Sequence, residues 1–337
     1  MSVNQSAGRR HGQRQPGDDF RVASRRAAGA TSQLPALFGN GVALAAFSTG
    51  RLKRSDYHCK RERKMAMPPK VVVVMPAYNA GRTLRMTYEE LPKDAVSLVI
   101  LVDDGSTDST LEVARELGLE VFVHDRNYGY GANQKTCYTE ALRAGCDVVV
   151  MVHPDYQYDP TLVPKIIEPI TRGEADIVLG SRLKGGGSAI QNGMPWWKYL
   201  ANRFLTGVEN LAFGLGLSEF HTGYRAFSRE VLETVNFRMN SDGFVFDQEI
   251  IAQAVAARFR VAEIAVPVRY FPEASSASFR ASCDYGLKIL WVVTRYLLHQ
   301  SGVKRARRLS SIHRRYTRVA ASSAHRLASQ PGQALHA

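Results

Sequence analysis

The clearest pattern in the chain is a set of five short apolar runs that alternate with amphipathic stretches in its first half. The first run begins at Val71 and closes at Pro76, and the others lie at residues 97–102, 120–124, 147–152 and 176–180. Short continuous apolar runs are typical of strands buried on both faces, and the stretches between them have helical spacing. The pattern therefore predicts an α/β fold with a Rossmann-like, mostly parallel central sheet flanked by helices.

The second half of the chain is less regular. Its pattern predicts a loop at 184–188, helices at 196–217, 246–259 and 283–299, a turn and short strand at 221–227, and a strand at 261–271. In the first half, Asn79 is the expected cap of a helix that extends to about Leu91. We expect one domain over residues 67–300, with an irregular second half.

The net charge of +13 is concentrated at the two ends of the chain. Residues 1–70 carry a net charge of +10 and residues 301–337 carry +8, so the body between them is slightly acidic. This distribution excludes a basic nucleic-acid-binding domain in the body. Residues 1–66 and 301–337 are predicted to be flexible basic tails. The alternatives for the first tail are translation that begins at Met65 or Met67, and a basic arm that contacts anionic lipid or nucleic acid.

Cysteine use and hydropathy indicate the compartment. The chain has 4 cysteines and no CxxC pair, which excludes a disulfide scaffold and a cysteine-based zinc site. No apolar run reaches the roughly 18–20 residues of a membrane span, and the N-terminus lacks a signal-peptide pattern. We expect a cytoplasmic protein, either free or peripheral on the inner face of the cytoplasmic membrane.

Two segments, 196–213 and 291–297, are rich in aromatic and aliphatic residues. One interpretation is that they form core or a dimer interface. The other is that they are interfacial helices, which with the basic residues 304–318 bring the protein to a lipid.

Polar residues follow the predicted strands at the points where the strands end. Because parallel sheets bind ligands at the carboxyl ends of their strands, these residues are expected to share one edge. They include Tyr78, Asn79, Asp103, Asp104, a glycine-rich stretch at 127–133, His153, Asp155, Gln157 and Arg182. Carboxylates crowded at one edge repel each other unless a metal or hydrogen-bond donors neutralise them. A nucleotide-sugar with a divalent cation would supply both.

The same residues also have a purely structural interpretation. DDGSTD (103–108) can be a turn followed by a helix cap, and Asp159 or Thr161 can cap the next helix. The glycine-rich stretch follows the third strand and not the first, so the dinucleotide fingerprint is absent, and no GxxxxGK[ST] loop occurs. The co-occurrence of these motifs at corresponding strand ends favours a functional site over the structural interpretation.

Seven motifs in order resemble those of family 2 glycosyltransferases: VVVVMPAYNAGRTL, VDDGSTDST, NYGYGANQKTCYTEAL, HPDYQYDP, GSR, HTGYRAF and FDQEI. The resemblance extends over about residues 70–300 and is closest to the dolichol- and undecaprenyl-phosphate sugar synthases. It implies a GT-A fold, a UDP- or GDP-sugar donor, a divalent cation (Mn or Mg) and inversion at the anomeric carbon. It also implies that the second half of the chain serves the acceptor.

The resemblance assigns donor and metal residues by position. The implied nucleotide-binding residues are Pro76, Ala77, Tyr78, Asn79, Asp103, Asp104, Asn127, Gly131 and Lys135, with Asp104 favoured over Asp103 for the base and ribose. The family's metal motif is usually Asp-x-Asp, and here His153 stands in place of the first Asp. Asp155 remains the expected metal ligand, with His153 or Gln157 completing the set. A histidine ligand favours Mn²⁺ over Mg²⁺; the alternative is that His153 only packs.

The acceptor determines which further residues are needed. A polyprenyl phosphate is already anionic and needs cations to position it, for which Arg182, Arg225 and Arg203 are candidates. A sugar or small-molecule hydroxyl needs a base, for which Asp247 and Glu249 are candidates. The polyprenyl-phosphate branch tends to have a basic residue four positions before a hydroxyl residue, where Asn202 and Thr206 stand. Asn202, with Arg203 next to it, departs from this pattern and weakens the assignment of a lipid-phosphate acceptor.

Three alternatives follow from these departures. The acceptor can be a hydroxyl in polysaccharide or glycolipid synthesis. The chain can be a nucleotide-sugar-binding protein that has lost catalysis, as His153 suggests. Arg225 and Asp247 can form a structural ion pair between the two halves.

Overall fold

The computed structural model describes residues 68–184, 194–267 and 279–312. Within them the strands are β1 Val71–Ala77, β2 Leu98–Asp103, β3 Glu120–Val123, β4 Val148–Met151, β5 Ile177–Ser181, β6 Arg225–Ser228 and β7 Val261–Ala265. The α-helices are α1 Leu84–Glu89, α2 Thr110–Glu116, α3 Tyr130–Arg143, α4 Val163–Thr171, α5 Trp196–Phe213, α6 Arg229–Thr234, α7 Phe246–Ala256 and α8 Phe279–Gln300. The predicted tail at 1–66, loop residues 185–188, strand residues 268–271 and tail residues 313–337 lie outside the described residues.

The strands form one sheet in the order β3-β2-β1-β4-β6-β5-β7. Strand β6 is antiparallel to both of its neighbours, and the other pairs are parallel. The predicted mostly parallel sheet is therefore confirmed. Its order could not be predicted at β6, because strand order is set by tertiary pairing and one partner of β6, β4, is distant in sequence.

Two hydrophobic clusters cover the two faces of the sheet, because successive side chains of a strand point to opposite faces. In β1, Val72 and Val74 belong to the cluster shared with α3, α7 and α8, whereas Val73 and Met75 belong to the one shared with α1 and α4. All residues of β1 are buried. Burial on both faces holds β1 rigidly in the sheet, and the candidate site starts at the carboxyl end of this strand.

Helix α1 begins at Leu84, and the prediction that Asn79 caps it is wrong. Asn79 has a φ of 51°, a left-handed conformation that asparagine tolerates better than most residues. Its backbone N–H donates to Ser106 Oγ at 2.8 Å, and its Oδ1 accepts from the Thr107 N–H at 2.9 Å. Asn79 therefore joins the loop after β1 to the loop after β2.

Helices α5 and α8 pack against each other, with the rings of Phe213 and Tyr296 4.9 Å apart. Each also leaves apolar side chains exposed, namely Trp196, Leu200, Phe204 and Leu211 on α5 and Leu287, Trp291 and Leu297 on α8. Across the three described ranges, none of the helices has the length and apolar content needed to cross a membrane.

Candidate active site

The carboxyl ends of β1, β2 and β4 meet at one edge of the sheet. The register pairs Ala77 with Asp103, so the loops that follow β1 and β2 start side by side. Thr83 Oγ1 donates to Pro154 O at 2.5 Å, which ties the segment after β4 to the same edge. The structure thus brings together three of the predicted segments, in the position where open α/β sheets bind ligands.

The first predicted donor residues line this edge at different depths. Pro76 and Ala77 are buried at the end of β1, whereas Tyr78 is 53% exposed. Tyr78 therefore offers a ring to solvent beside the end of the strand, and Pro76 and Ala77 form part of the wall beneath it.

Asp104 anchors the glycine-rich loop. Its carboxylate accepts hydrogen bonds from the Tyr128 N–H at 3.0 Å and the Gly129 N–H at 2.9 Å, and lies 2.7 Å from His124 Nδ1. These three contacts occupy most of the acceptor capacity of the Asp104 carboxylate, and the side chain is buried from water. Asn127, just before these residues, is exposed.

Asp103 has acceptor capacity to spare. Its Oδ2 accepts from the Ser106 N–H at 2.9 Å, but its Oδ1 has no hydrogen-bond partner among the described residues. The residue is fully buried. A buried carboxylate oxygen without a partner is costly, and a ligand donor would remove that cost. Asp103 thus has a free acceptor oxygen that Asp104 lacks, and the preference for Asp104 as the nucleotide contact stays a prediction.

The glycine-rich loop interlocks with residues 240–242. The Gly131 N–H donates to Asp242 O at 2.6 Å, and a Cβ at Gly131 would lie 2.3 Å from Ser241 O. Lys135 Nζ donates to Asn240 O at 2.5 Å and to Asp242 Oδ1 at 2.6 Å. Gly131 and Lys135, expected near the donor phosphates, both contact this loop in the structure.

This contact predicts a cost for Gly131→Ala. The added methyl group would meet backbone atoms, which cannot move away as a flexible side chain can, and overpacking of this kind costs about 1–3 kcal/mol of unfolding free energy. Urea denaturation measures it. The matched control is Gly207→Ala in α5, where a Cβ would meet nothing within 4 Å and should be neutral or stabilising. Equal stability of the two variants would contradict the interlocking.

His153, Asp155 and Gln157 follow β4. The carboxylate of Asp155, which is exposed, accepts from the Gln157 N–H at 3.0 Å through Oδ1 alone. The His153 ring stacks on Tyr130, with ring centroids 5.6 Å apart and planes at 12°. Burial lowers the pKa of His153, against the opposing effect of Asp155, and favours the neutral imidazole. In the part of the chain that the structure describes, no three His, Cys, Asp or Glu side chains converge as a preformed metal cluster.

Asp247 is held by three side chains at the start of α7. Its Oδ2 accepts from the Tyr130 hydroxyl at 2.9 Å and lies 3.2 Å from Arg225 Nη2. Its Oδ1 accepts from Gln134 Nε2 at 3.0 Å. Burial raises the pKa of Tyr130 well above its usual value, so its hydroxyl stays protonated and acts as a donor.

Arg225 is fully buried on β6, and each of its three guanidinium nitrogens contacts an acceptor. Besides its contact with the Asp247 carboxylate, the guanidinium donates to three backbone carbonyl oxygens: Thr222 O at 2.6 Å, Phe220 O at 3.1 Å and Asp247 O at 3.0 Å. The ion pair that the sequence left as an alternative is present, and it joins β6 to α7.

Glu249 lies apart from Asp247, although the two are only two positions apart in the sequence. Its Oε2 accepts from the Ser241 N–H at 2.6 Å, and its Oε1 lies 2.5 Å from Arg308 Nη1 and 3.6 Å from Arg295 Nη1. Two residues along a helix correspond to about 200°, so the two carboxylates point in different directions. The structure does not bring the two candidate bases together.

Arg182 follows β5 and pairs with a buried carboxylate. Its Nε donates to Glu219 Oε1 at 2.9 Å, and its Nη2 donates to His221 O at 2.6 Å. The side chain keeps 17% exposure while Glu219 has none. Arg203 is exposed and donates to Ser218 O at 3.2 Å.

Asn202 and Thr206 belong to the same buried network. Asn202 Nδ2 donates to Glu219 Oε1 at 2.8 Å, and Asn202 Oδ1 accepts from Thr206 Oγ1 at 3.1 Å. His221 continues the network, with Nδ1 3.1 Å from Asn202 Oδ1; its Nε2 lies 3.0 Å from Glu209 Oε2 without the geometry of a hydrogen bond. The positions that hold a basic and a hydroxyl residue in the polyprenyl-phosphate branch thus serve here to fix α5.

Several site residues were missed by sequence reasoning. Tyr130 was assigned to a loop, although it begins α3; an aromatic residue between two glycines was the available signal. Gly223 matters because a Cβ there would lie 2.6 Å from His153 Nε2, so the imidazole occupies that space. Glu219 had no signal, since a single acidic residue in an irregular segment carries no pattern.

A mostly parallel α/β sheet with carboxylates and a glycine-rich loop at the carboxyl ends of its strands is an arrangement typical of α/β proteins that bind ligands at this edge. Residues 72–235 match the family model described as Glycosyl transferase family 2. The match covers just under half of the chain and shows a family 2 glycosyltransferase domain at these residues.

Comparison with known proteins agrees with the family. The chain is 32% identical over 223 residues to the low-salt glycan biosynthesis hexosyltransferase Agl6 of Haloferax volcanii, covering 64% of this chain and 51% of that protein. The match thus spans about half the length of that relative. This chain is also 25% identical over 217 residues to the UDP-N-acetylglucosamine–dolichyl-phosphate N-acetylglucosaminyltransferase of Methanococcus voltae. That match covers 59% of this chain and 86% of the other protein.

A solved structure agrees with the fold. The crystal structure of glucosyl-3-phosphoglycerate synthase from Mycobacterium tuberculosis in complex with UDP superposes with a TM-score of 0.53 at 20% identity, covering 68% of this chain and 82% of that one. The same enzyme has been crystallised with Mn²⁺ and with Mg²⁺. The predicted GT-A fold is confirmed.

Proposed function

We propose that this protein transfers a sugar from a nucleotide-diphosphosugar to a polyprenyl phosphate, with inversion at the anomeric carbon. The observation that carries the proposal is a family 2 domain whose ligand edge holds a buried carboxylate oxygen, Asp103 Oδ1, without a protein partner. A nucleoside supplies the N–H or hydroxyl donor that such an atom lacks.

The donor site would be built from the first two strand ends. Asp103 would accept from the base or ribose, and the exposed ring of Tyr78 would stack against the base. Asp104 would act one step removed, since its hydrogen bonds hold the backbone of the glycine-rich loop. Asn79 would hold the loop after β1 against the loop after β2. Asn127, which is exposed at the start of the glycine-rich loop, would lie close to the donor phosphates.

The residues after β4 fit a divalent cation, Mn²⁺ or Mg²⁺. Asp155 is exposed and offers an oxygen outside its turn hydrogen bond, and the lowered pKa of His153 favours the neutral imidazole that metals require. A bound cation would neutralise the departing diphosphate. The imidazole ligand favours Mn²⁺. Gln157 is the further oxygen donor nearby.

The pairing of Asp247 favours a phosphate acceptor. Asp247 is buried and accepts from Tyr130 and Gln134 while pairing with Arg225, so most of its acceptor capacity is in use and little is left to take a proton from a hydroxyl. Glu249 is bonded to Ser241 and Arg308. A phosphate acceptor needs no base, and Arg182, which keeps 17% exposure while paired with Glu219, is the cation proposed to orient it.

A lipid acceptor also requires contact with a membrane surface. The exposed apolar side chains of α5 and α8 would provide it, assisted by basic residues on the same two helices such as Lys198, Arg203 and Lys288. We propose peripheral association through these two helices.

Thermal unfolding of the full chain with UDP, GDP and their sugars, with and without Mn²⁺, tests the donor site. A ligand at about 100 times its dissociation constant adds about 2.7 kcal/mol of stability, so a metal-dependent rise in Tm is expected with one nucleotide. Asp103→Asn should reduce the shift, and Asp94→Asn, an exposed control outside the site, should not. A folded protein whose Tm responds to no nucleotide would overturn the proposal.

The acceptor is tested separately, by transfer of labelled sugar to undecaprenyl or dolichyl phosphate. Product that partitions into organic solvent is expected. Labelled product formed only with sugar hydroxyls would replace the lipid acceptor while leaving the donor assignment intact.

A further inference from the structure

A cavity of about 260 Å³ lies between the second half of α8 and the segment 304–308. None of its lining residues belongs to the ligand edge of the sheet. One wall is apolar and is formed by Met239, Trp291 and Leu298. Trp291 is also 56% exposed, so the cavity opens onto the apolar surface of α8.

The cationic part of the lining is formed by Arg295, Lys304, Arg307 and Arg308. Glu249 is the acidic side chain that pairs with Arg295 and Arg308. Lys304 and Arg307 are exposed, and neither forms an ion pair within the described ranges. Four cations therefore face one carboxylate.

The crowding of like charges is expressed at Arg295. Burial and the neighbouring Arg308 lower the pKa of this guanidinium, against the effect of Glu249. Its charged group also lies over the ring of Trp291, 5.6 Å from the centroid. An anion in the cavity would relieve this repulsion while its apolar portion covered Trp291 and Leu298.

We propose that this cavity binds the phosphate headgroup of an anionic phospholipid. A phosphate complements the excess positive charge, and the apolar wall, continuous with the exposed face of α8, suits the glycerol and upper acyl chain. This headgroup site would be part of the proposed membrane contact through α5 and α8, on which the inference rests. It is separate from the acceptor, because the lining residues lie outside the sheet edge.

Flotation of the full chain with vesicles tests the site. Vesicles of phosphatidylcholine alone are compared with vesicles that also contain phosphatidylglycerol; neither contains polyprenyl phosphate or donor, so sugar transfer does not enter. Wild-type protein is expected to float with the anionic vesicles only. Lys304→Gln/Arg307→Gln removes two exposed cations and should weaken binding about thirtyfold, at about 1 kcal/mol per residue.

The matched control is Arg115→Gln/Lys165→Gln, which removes the same charge from exposed positions on α2 and α4. It should change binding less than twofold. Equal weakening by both double variants would overturn the cavity and leave only diffuse attraction to a membrane. Inorganic phosphate is added at the same concentration as the lipid phosphate. If it released the wild-type protein from the vesicles, the proposal would also be overturned, because the cavity would then bind a free anion as well as a lipid headgroup. Failure of the wild type to float at all would overturn the membrane contact as well.

Discussion

Replacing Asp247 with alanine is expected to lower the unfolding free energy by about 3–5 kcal/mol. The change leaves Arg225 fully buried with its charge unpaired, and water cannot reach the guanidinium to compensate. It also removes the acceptor for the Tyr130 hydroxyl and for Gln134 Nε2. Urea denaturation at neutral pH measures the loss, and Asp247→Asn should cost nearly as much because it removes the same charge.

The control for this prediction is an ion pair at the surface. Glu168 on α4 and Arg172, which follows the end of α4, lie 2.5 Å apart and are both well exposed, so Glu168→Ala should cost about 0–1 kcal/mol. The double variant Asp247→Leu/Arg225→Met should recover part of the loss, because neither charge then remains buried. A loss below 1 kcal/mol for Asp247→Ala would show that the pair does not join β6 to α7.

Replacing Asp155 with asparagine is expected to lower turnover by about 10²–10³-fold, if the proposed sugar transfer is the reaction. The change keeps the shape of the side chain and removes the negative charge proposed to hold the cation against the departing diphosphate. The rise in Tm produced by nucleotide with Mn²⁺ should shrink in parallel, which gives a readout independent of turnover.

Asp159→Asn is the matched control four residues on. Asp159 Oδ1 accepts from the Thr161 N–H at 2.9 Å and caps the following turn, as one of the structural interpretations of this segment predicted. Its replacement should leave turnover within about twofold and cost at most about 1 kcal/mol of stability. Unchanged turnover in Asp155→Asn would remove Asp155 from the metal site.

The sequence predicted the elements well wherever a strand was buried on both faces. The runs at 71–76, 97–102 and 147–152 correspond to β1, β2 and β4, because continuous burial leaves a continuous apolar signal. The motifs at their ends could be located for the same reason. The fold class and the family followed from these segments.

The partners of individual side chains could not be predicted. Which of Asp103 and Asp104 keeps an open oxygen depends on the backbone of the glycine-rich loop, and Lys135 reaches residues about a hundred positions away. Such contacts are set by tertiary packing, which a local pattern does not encode. Asn79 failed as a cap for a related reason: a cap residue and a left-handed turn residue have the same composition.

Strand β6 has a consequence for the synthesis of the chain. It separates β4 from β5, so the four strands made first gain no hydrogen-bonded neighbour on one side until residue 228 has emerged. During that interval β4, buried along its whole length in the finished protein, is a bare apolar edge of the kind that pairs with other chains. A fragment that stops before residue 228 should therefore aggregate during expression rather than persist as a small nucleotide-binding domain.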